Sequence, residues 1–466
     1  MVKLLCIAAD LLTIASIAAL MTLLRKALGG EFHPAVYIRL WPFLIFFWLA
    51  FEKMGLYSGT SIFSGACLGP AEEIRRIFYG LTAVFILLGF GNYCYHPDDY
   101  LYSRGVMLGS FLLCIIAVPI ERTILRKIFT RMGCWGIPVI LIGSEKTART
   151  IFDSIRRHPE YGLRPVGYFT DQQNSAMPEA AVFMGGLNEI VQQTEALSIK
   201  YAILAKEDGM DPAYIQKVIR QYGTTFPHLL LVSESLSQIG SGVSPKDIGD
   251  TLGFEIRHNL RIPSIYRIKR IIDYLLTLPS LIAALPLLGL LAAWIKLDSS
   301  GPVFFKHLRV TKNGRQINIY KFRTMVDGAQ EELHELLQSS HELQEEWTKY
   351  GKLENDPRIT RAGKWLRKTS LDELPQLINV LQGKITLVGP RPIIQDELKH
   401  YGESAELFDK VLPGLTGLWQ VSGRNELTYE ERVRLDNYYA NNWSVWLDLY
   451  ILAKTVYAVL FRNGAR

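Results

Sequence analysis

Four apolar runs crowd the start of the chain, at residues 4–24, 40–56, 77–95 and 106–120, and each is near the length that crosses a bilayer. A chain of 466 residues that opens this way must solve a membrane problem before any other, so the expectation for residues 1–132 is a four-helix transmembrane bundle. The first run follows a single lysine and has no small-residue cleavage site, which argues against a cleaved signal peptide. Arg122, Arg126, Lys127 and Arg131 follow the fourth run and place that end in the cytoplasm, and Arg75 and Arg76 ahead of the third run agree. Asp98 and Asp99 then lie outside, as do Arg25, Lys26 and Arg39, which fits the rule less well. Asp10 stands alone within the first run. No chain of embedded ionisable groups marks a transport path, and the bundle reads as a packing and anchoring unit. The net charge of +6 suits anionic headgroups or phosphates, but no long Lys/Arg tract points to nucleic acid. Five cysteines, none in a C-x-x-C pair, read as apolar fillers.

After Gly133 the pattern becomes that of a soluble domain. Short apolar runs at 138–142, 166–169, 202–205 and 229–232 read as buried strands, with helices at 145–157, 187–197 and 212–222. Strands alternating with helices imply a parallel sheet, a Rossmann-like α/β domain over 134–260. In its first turn Gly143 and Ala148 fit the ends of a G-x-G-x-x-G/A fingerprint, but Glu145 occupies the middle glycine position. An acid there repels a pyrophosphate, so no dinucleotide is expected. The Ser- and Gly-containing stretch 232–260 reads as a linker.

A further apolar run, 271–295, contains Pro279 and Pro286 and is basic on both flanks, at Lys269, Arg270 and Lys296. Each proline removes a helical hydrogen bond, and the two basic flanks favour one face of the membrane, so this is expected to be a re-entrant helix at about 271–297. Residues 301–325 then read as a cationic hairpin with Lys306, Arg309, Lys312, Arg315, Lys321 and Arg323, turning at Asn313-Gly314. An amphipathic helix is expected over 331–347, and 443–461 reads as an interfacial or packed helix because Asp448 and Lys454 interrupt its apolar run.

Within 363–392 two carboxylates, Asp372 and Glu373, stand side by side among Lys364, Arg367, Lys368 and Arg391. Ser370 precedes an apolar-periodic run (Leu374, Leu377, Ile378, Leu381), so a helix is expected to begin at the carboxylates, where its dipole and the nearby cations favour the ionised form. Ser370 and Glu373 also match a capping box, which would give Glu373 a purely structural role. The other reading is covalent phosphoryl transfer with an aspartate nucleophile.

The stretch from about Lys269 to the C-terminus resembles the polyprenyl-phosphate phosphoglycosyltransferases, the bacterial sugar transferases. The resemblance is carried in order by Lys269-Arg270-x-x-Asp273, Gly301-Pro302-Val303-Phe304-Phe305, Tyr320-Lys321-Phe322-Arg323-Thr324-Met325, Asn355-Asp356-Pro357-Arg358-Ile359-Thr360, Leu371-Asp372-Glu373-Leu374-Pro375-Gln376, Val388-Gly389-Pro390-Arg391-Pro392, and Pro413 through Gln420 to Gly423-Arg424-Asn425. Two positions depart from the family: Leu285-Pro286 stands where it has Ser-Pro, and Thr311 where it has glycine.

The resemblance implies an α/β monotopic catalytic domain over 265–466 on the cytoplasmic face of the bacterial inner membrane. It implies transfer of a sugar-1-phosphate, galactose before glucose, from a UDP-sugar to undecaprenyl phosphate with release of UMP. It also implies Asp372, Glu373 and Lys321 as catalytic residues and Arg367, Arg391, Arg424, Asp436 and Arg323 as substrate-binding residues, with Mg²⁺ on Glu373 and Asp372. A homodimer in contact with membrane lipids is expected. The readings from other classes are a membrane-bound NAD-dependent sugar-nucleotide dehydratase and a non-enzymatic scaffold.

Overall fold

The computed structural model describes the chain apart from residues 1, 31–36, 38–40, 58–68, 96–102, 144, 171–181, 187–188, 191–198, 200, 207–225, 227, 234–242, 249–250, 257, 351–352, 354–355, 406–410, 424–426 and 461–466. It divides into two compact units, Met1–Gln238 and Ile239–Arg466.

The first unit opens with α1 (Val2–Ala27), α2 (Leu44–Lys53), α3 (Pro70–Tyr95) and α4 (Arg104–Arg131). They pack as a bundle on Ile14, Ile17, Phe47, Phe51, Ile77, Leu81, Cys114 and Val118, while Leu12, Ile86, Phe90 and Ile116 face outward. An apolar exterior of this kind is what a lipid solvent requires. The second apolar run lies partly outside the described residues. Its described part is a 3-10 turn, Trp41–Phe43, and the ten-residue α2, and α2 is not long enough to cross a membrane. Among the described residues, the helices that are long and apolar enough are α1, α3, α4 and the helix Pro263–Asp298 of the second unit.

Asp10 is not alone. Arg122 grips it with two bonds, Nε to Oδ1 at 2.9 Å and Nη2 to Oδ2 at 2.6 Å, and the Tyr57 hydroxyl donates to the same carboxylate. Glu73 extends the cluster to Arg122 and Arg126. A buried acid needs a partner, and here two arginines expected as cytoplasmic surface charge provide the neutralisation.

The same unit continues with β1 (Ile137–Gly143), α5 (Glu145–Arg157), β2 (Leu163–Phe169), β3 (Val182–Gly185), β4 (Tyr201–Lys206) and β5 (His228–Ser233). The five strands form one parallel sheet in the order β3-β2-β1-β4-β5, as alternating strands and helices require. The expected helices at 187–197 and 212–222 lie largely outside the described residues. Gly143 is needed for packing: at φ +135° a Cβ there would lie 2.4 Å from the Ala205 carbonyl oxygen on β4. The stretch expected as a linker contains an antiparallel hairpin, β6 (Val243–Ile248) with β7 (Thr251–Ile256).

The second unit is built on α6 (Pro263–Asp298), 36 residues and about 54 Å long at the helical rise. It runs through Pro279 and Pro286 without a break, and Ser280 Oγ donates back to the Leu276 carbonyl at 2.7 Å. Lys269, Asp273 and Thr277 near one end and Leu291 and Ile295 near the other are buried, whereas Leu278, Ile282 and Leu285 between them are exposed. Then follow β8 (Phe304–Val310), β9 (Gln316–Phe322), α7 (Ala329–Ser339) and α8 (His341–Tyr350). The single helix expected over 331–347 is thus two, parted at Ser340, whose backbone is extended. The fold closes with α9 (Arg361–Thr369), α10 (Gln376–Leu381), β10 (Thr386–Val388), β11 (Gly414–Thr416), α11 (Tyr429–Asn441) and α12 (Val445–Leu460). α12 is a packed helix: Leu447, Asp448 and Ile451 are buried.

Candidate active site

The β8–β9 hairpin sets the first wall of the site. Phe305 pairs with Lys321 and His307 with Ile319, and cross-strand partners share a face, so Phe305, His307 and Arg309 stand on the Lys321 side. α10 is locked to the hairpin by Asn379, which is fully buried. Its Oδ1 accepts from Tyr320 N at 2.9 Å and its Nδ2 donates to the Asn318 carbonyl at 2.8 Å. This fixes Lys321 relative to the turn that leads into α10.

α9 brings the second wall. Thr360 caps it, its Oγ1 accepting from Gly363 N at 3.0 Å. Gly363 lies so close to the chain after β9 that a Cβ would fall 2.0 Å from the Thr324 carbonyl oxygen. That approach lets Arg367, one turn on, donate from Nε to Thr324 Oγ1 at 2.9 Å. α9 ends at Ser370 in the left-handed region, φ 57°, the only non-glycine residue with positive φ among those described. Such a conformation in a non-glycine residue is uncommon and tends to mark a functional turn.

The carboxylates therefore lie on a 3-10 turn, Leu371–Glu373, between two helices and not at the start of one. Pro375 immediately precedes Gln376, where α10 begins. The capping box is not formed: Ser370 makes no side-chain cap. Glu373 instead accepts from Lys321 Nζ at 2.6 Å, and Asp372 Oδ2 lies 4.0 Å from the same ammonium. Burial pushes the Asp372 carboxyl up to about 6, with Glu373 adding to the shift and Lys321 and Arg367 opposing it. Burial also lowers Arg367, whose charge is offset by Asp372 and Asp356.

A second cationic group adjoins the first. Arg309 Nη2 lies 3.4 Å from His307 Nδ1 and its Nη1 lies 3.8 Å from Glu397. Burial and the charges of Arg309, Lys321 and Arg391 lower His307 to about 4, so it is neutral at physiological pH. Arg391 and Arg432 both lie over the Trp419 ring, at 5.7 and 4.9 Å from its centroid. Asp436 on α11 accepts from the Tyr401 hydroxyl at 3.0 Å, and its Oδ1 has no hydrogen-bond partner among the described residues. Burial raises Asp436 to about 8, against the effects of Tyr401 and Arg391. At neutral pH it is largely a protonated acid that can donate to an anion.

Of the residues expected at a site, the structure thus brings together Lys321, Arg367, Asp372 and Glu373, with Arg391 and Asp436 beside them. It directs Arg323 elsewhere: the guanidinium holds the carbonyls of Ser299 and Ser300 at the end of α6. Arg424 lies outside the described residues. The Asp356–Arg358 pair of the fourth motif is buried and bidentate, and Arg358 also holds the Ala329 carbonyl, so it fastens the fold. Residues the sequence did not single out are His307, Asn379 and Tyr401, and Thr324 and Trp419 were named only as parts of motifs, without a role. Strand alternation from Lys321 through the hairpin register could have found His307.

No group of three or more His, Cys, Asp or Glu side chains converges on a metal-sized space among the described residues. Asp372 and Glu373 form a two-carboxylate set. That suits Mg²⁺, which takes one or two carboxylates and completes its shell with water and substrate phosphate.

Two family models match the chain: the bacterial sugar transferase model over 265–462, which holds this whole site, and a CoA-binding domain model over 66–205. The second match runs from within the bundle to β4, across the boundary expected at 132–134 and inside the first compact unit. The chain is 35% identical over 402 residues to the undecaprenyl-phosphate galactose phosphotransferase of Salmonella typhimurium, covering 84% of this chain and 82% of the relative. It is 34% identical to the UDP-galactose-lipid carrier transferase of Erwinia amylovora, over 78% of this chain and 76% of the relative. It is 30% identical to the UDP-glucose:undecaprenyl-phosphate glucose-1-phosphate transferase of Escherichia coli, over 70% and 68%. Similarity over most of both chains, together with a domain match that contains the paired carboxylates and their cations, makes this membrane protein a member of the bacterial sugar transferase family.

Proposed function

We propose that the chain transfers a sugar-1-phosphate, galactose-1-phosphate first among the choices, from a UDP-sugar to undecaprenyl phosphate. The observation that carries this reading is the Asp372-Glu373 turn, faced by Lys321 and flanked by Arg367, inside the matched domain. The Asp372 carboxylate attacks the sugar-bearing phosphorus. A new P–O bond forms to Asp372, the bond to the uridine phosphate breaks, and UMP leaves with the electron pair. The lipid phosphate then attacks the same phosphorus, releasing the Asp372 carboxylate and giving a lipid diphosphate sugar.

Both substrates are anionic, so charge neutralisation is the main service of the site. Lys321 stands between the two carboxylates and offsets their charge, and Arg367 and Arg391 offer forks for phosphate oxygens. Asp436, protonated at neutral pH, avoids repelling them. Mg²⁺ held by Glu373 and Asp372 would add phosphate neutralisation.

The membrane topology belongs to the same reading. Both ends of α6 are fastened to one folded body: Arg270 donates to the carbonyls of Ile385 and Val380, while Leu291 and Ile295 pack with Phe322, Ala362 and Leu366. A helix anchored at both ends to one domain enters and leaves the bilayer on one side if it bends between them, and Pro279 and Pro286 are the places for that bend. That side is the cytoplasmic face of the inner membrane, where UDP-sugars are made. A homodimer completes the reading, and the protomer count in native nanodiscs tests it. The activity itself is tested with a panel of labelled UDP-sugars and undecaprenyl phosphate. UMP release and lipid labelling with UDP-galactose are expected. Release with UDP-glucose alone would move the assignment to glucose, and release with neither would reject it.

A further inference from the structure

A buried polar cluster outside the catalytic turn is built around one backbone carbonyl. Val388 O, three residues ahead of Arg391, accepts from Lys269 Nζ at 2.9 Å and from the Tyr439 hydroxyl at 2.6 Å. Lys269 also donates to Asp448 Oδ2 at 2.7 Å and Trp443 Nε1 to the same oxygen at 3.0 Å, while Asp448 Oδ1 lies 2.8 Å from the Tyr439 hydroxyl, whose single proton it shares with the nearer Val388 carbonyl. Lys269, Tyr439, Trp443 and Asp448 are all buried. They come from α6, α11, the start of the segment into α12, and α12 itself, so the cluster joins three helices to the end of β10.

Beyond Val388 the chain stays fixed. Gly389 N donates to the Thr416 carbonyl at 2.9 Å, and Gly414 N donates to the Pro390 carbonyl at 2.7 Å. Arg391 is the first residue past this pinned segment, and its guanidinium lies over Trp419. Tyr439 stands one helical turn after Asp436 on α11, and both are buried. One hydroxyl therefore ties the helix of Asp436 to the strand that delivers Arg391. A buried ion pair is a poor way to gain stability alone, since apolar side chains of the same volume often do as well. Donors that converge on the carbonyl ahead of Arg391 have a more specific use.

We propose that Lys269 and Tyr439 are positioning residues, which hold the Val388 carbonyl so that Arg391 and Asp436 face the same substrate phosphate. This rests on the reading of Arg391 as a phosphate-binding residue. It also means that the seating of α6 is coupled to the phosphate site through Lys269.

The test uses the full chain in detergent, with kcat/KM measured for the UDP-sugar and for undecaprenyl phosphate, and thermal unfolding beside it. Arg391→Lys keeps the charge and loses the fork, and it identifies which substrate Arg391 serves. For that substrate Tyr439→Phe should lower kcat/KM roughly 10- to 100-fold, the scale of a small misplacement. Trp443→Phe removes a bond to Asp448 but none to Val388, and should lower the unfolding temperature while leaving kcat/KM within twofold. In the Arg391→Lys background, Tyr439→Phe should add less than a twofold loss. Lys269→Gln carries the same prediction through the other bond to Val388, so one misfolded variant does not decide the matter. A full additional loss in the Arg391→Lys background, equal activity losses for Tyr439→Phe and Trp443→Phe, or failure of both Tyr439→Phe and Lys269→Gln to fold would overturn the proposal. If Arg391→Lys alone changes neither kcat/KM, the phosphate-binding role of Arg391 fails first, and this coupling fails with it.

Discussion

Asp372 meets two opposed demands. Burial makes its carboxyl more basic, toward about 6, which in the proposed reaction would favour bond formation to phosphorus, while Lys321 and Arg367 oppose the rise. Glu373 has a different task, set by its 2.6 Å contact with Lys321. Glu373→Gln keeps the size and removes the charge, so turnover should fall steeply and the Mg²⁺ dependence should shift in a UMP-release assay. Nearly intact turnover with about 1 kcal/mol of lost stability would leave Glu373 as a purely structural partner of Lys321. His307 gives a pH test. Its folded form takes up a proton only near pH 4, whereas an unfolded histidine does so near 6.5, so wild-type stability is lost as pH falls through that window. His307→Gln removes the titration, and its unfolding temperature should therefore gain on the wild type between pH 7.5 and pH 5; a constant difference would contradict the burial of His307. The paired acids were legible because the residue types stand at contiguous positions, whereas Lys321 was expected at the site only from the resemblance of its motif. Thr324, Asn379 and Tyr401 were not, because their roles come from partners distant in sequence.

At the scale of elements, apolar length and strand–helix alternation were readable, and so were the hairpin turn at Gly314 and the packed α12. The catalytic turn was not. Periodicity from Leu374 onward predicted a helix beginning at the carboxylates, but Ser370 in the left-handed region and Pro375 put a 3-10 turn there. β3, Val182–Gly185, was not expected, and its apolar run ends at once in Gly185-Gly186. The Asp10–Arg122 contact joins positions 112 apart, and no local pattern reports it. Asp10→Ala should lower bundle stability by about 3–5 kcal/mol by leaving Arg122 under-neutralised, read as a lower unfolding temperature in detergent. No change would show that Glu73 alone suffices. For α6, cysteines at positions 268 and 298 should both label only from the cytoplasmic side, and labelling of position 298 from the periplasm would establish a full span.

At the scale of the molecule, three domains were expected and two compact units are found, with the bundle and the parallel sheet together in the first. Beside the change of composition at Gly133, Phe129 of α4 stacks on Trp135 just before the sheet begins. The candidate site lies in the second unit, in the same folded body as α6. In the proposed reaction Asp372 becomes covalently bound to the sugar phosphate. Enzyme incubated with UDP-galactose and Mg²⁺ but no lipid should release UMP and gain the mass of one sugar phosphate, located on the peptide that carries Asp372, and Asp372→Asn should show neither. UMP release that strictly requires the lipid phosphate, or normal turnover by Asp372→Asn, would contradict it and point to direct attack by the lipid.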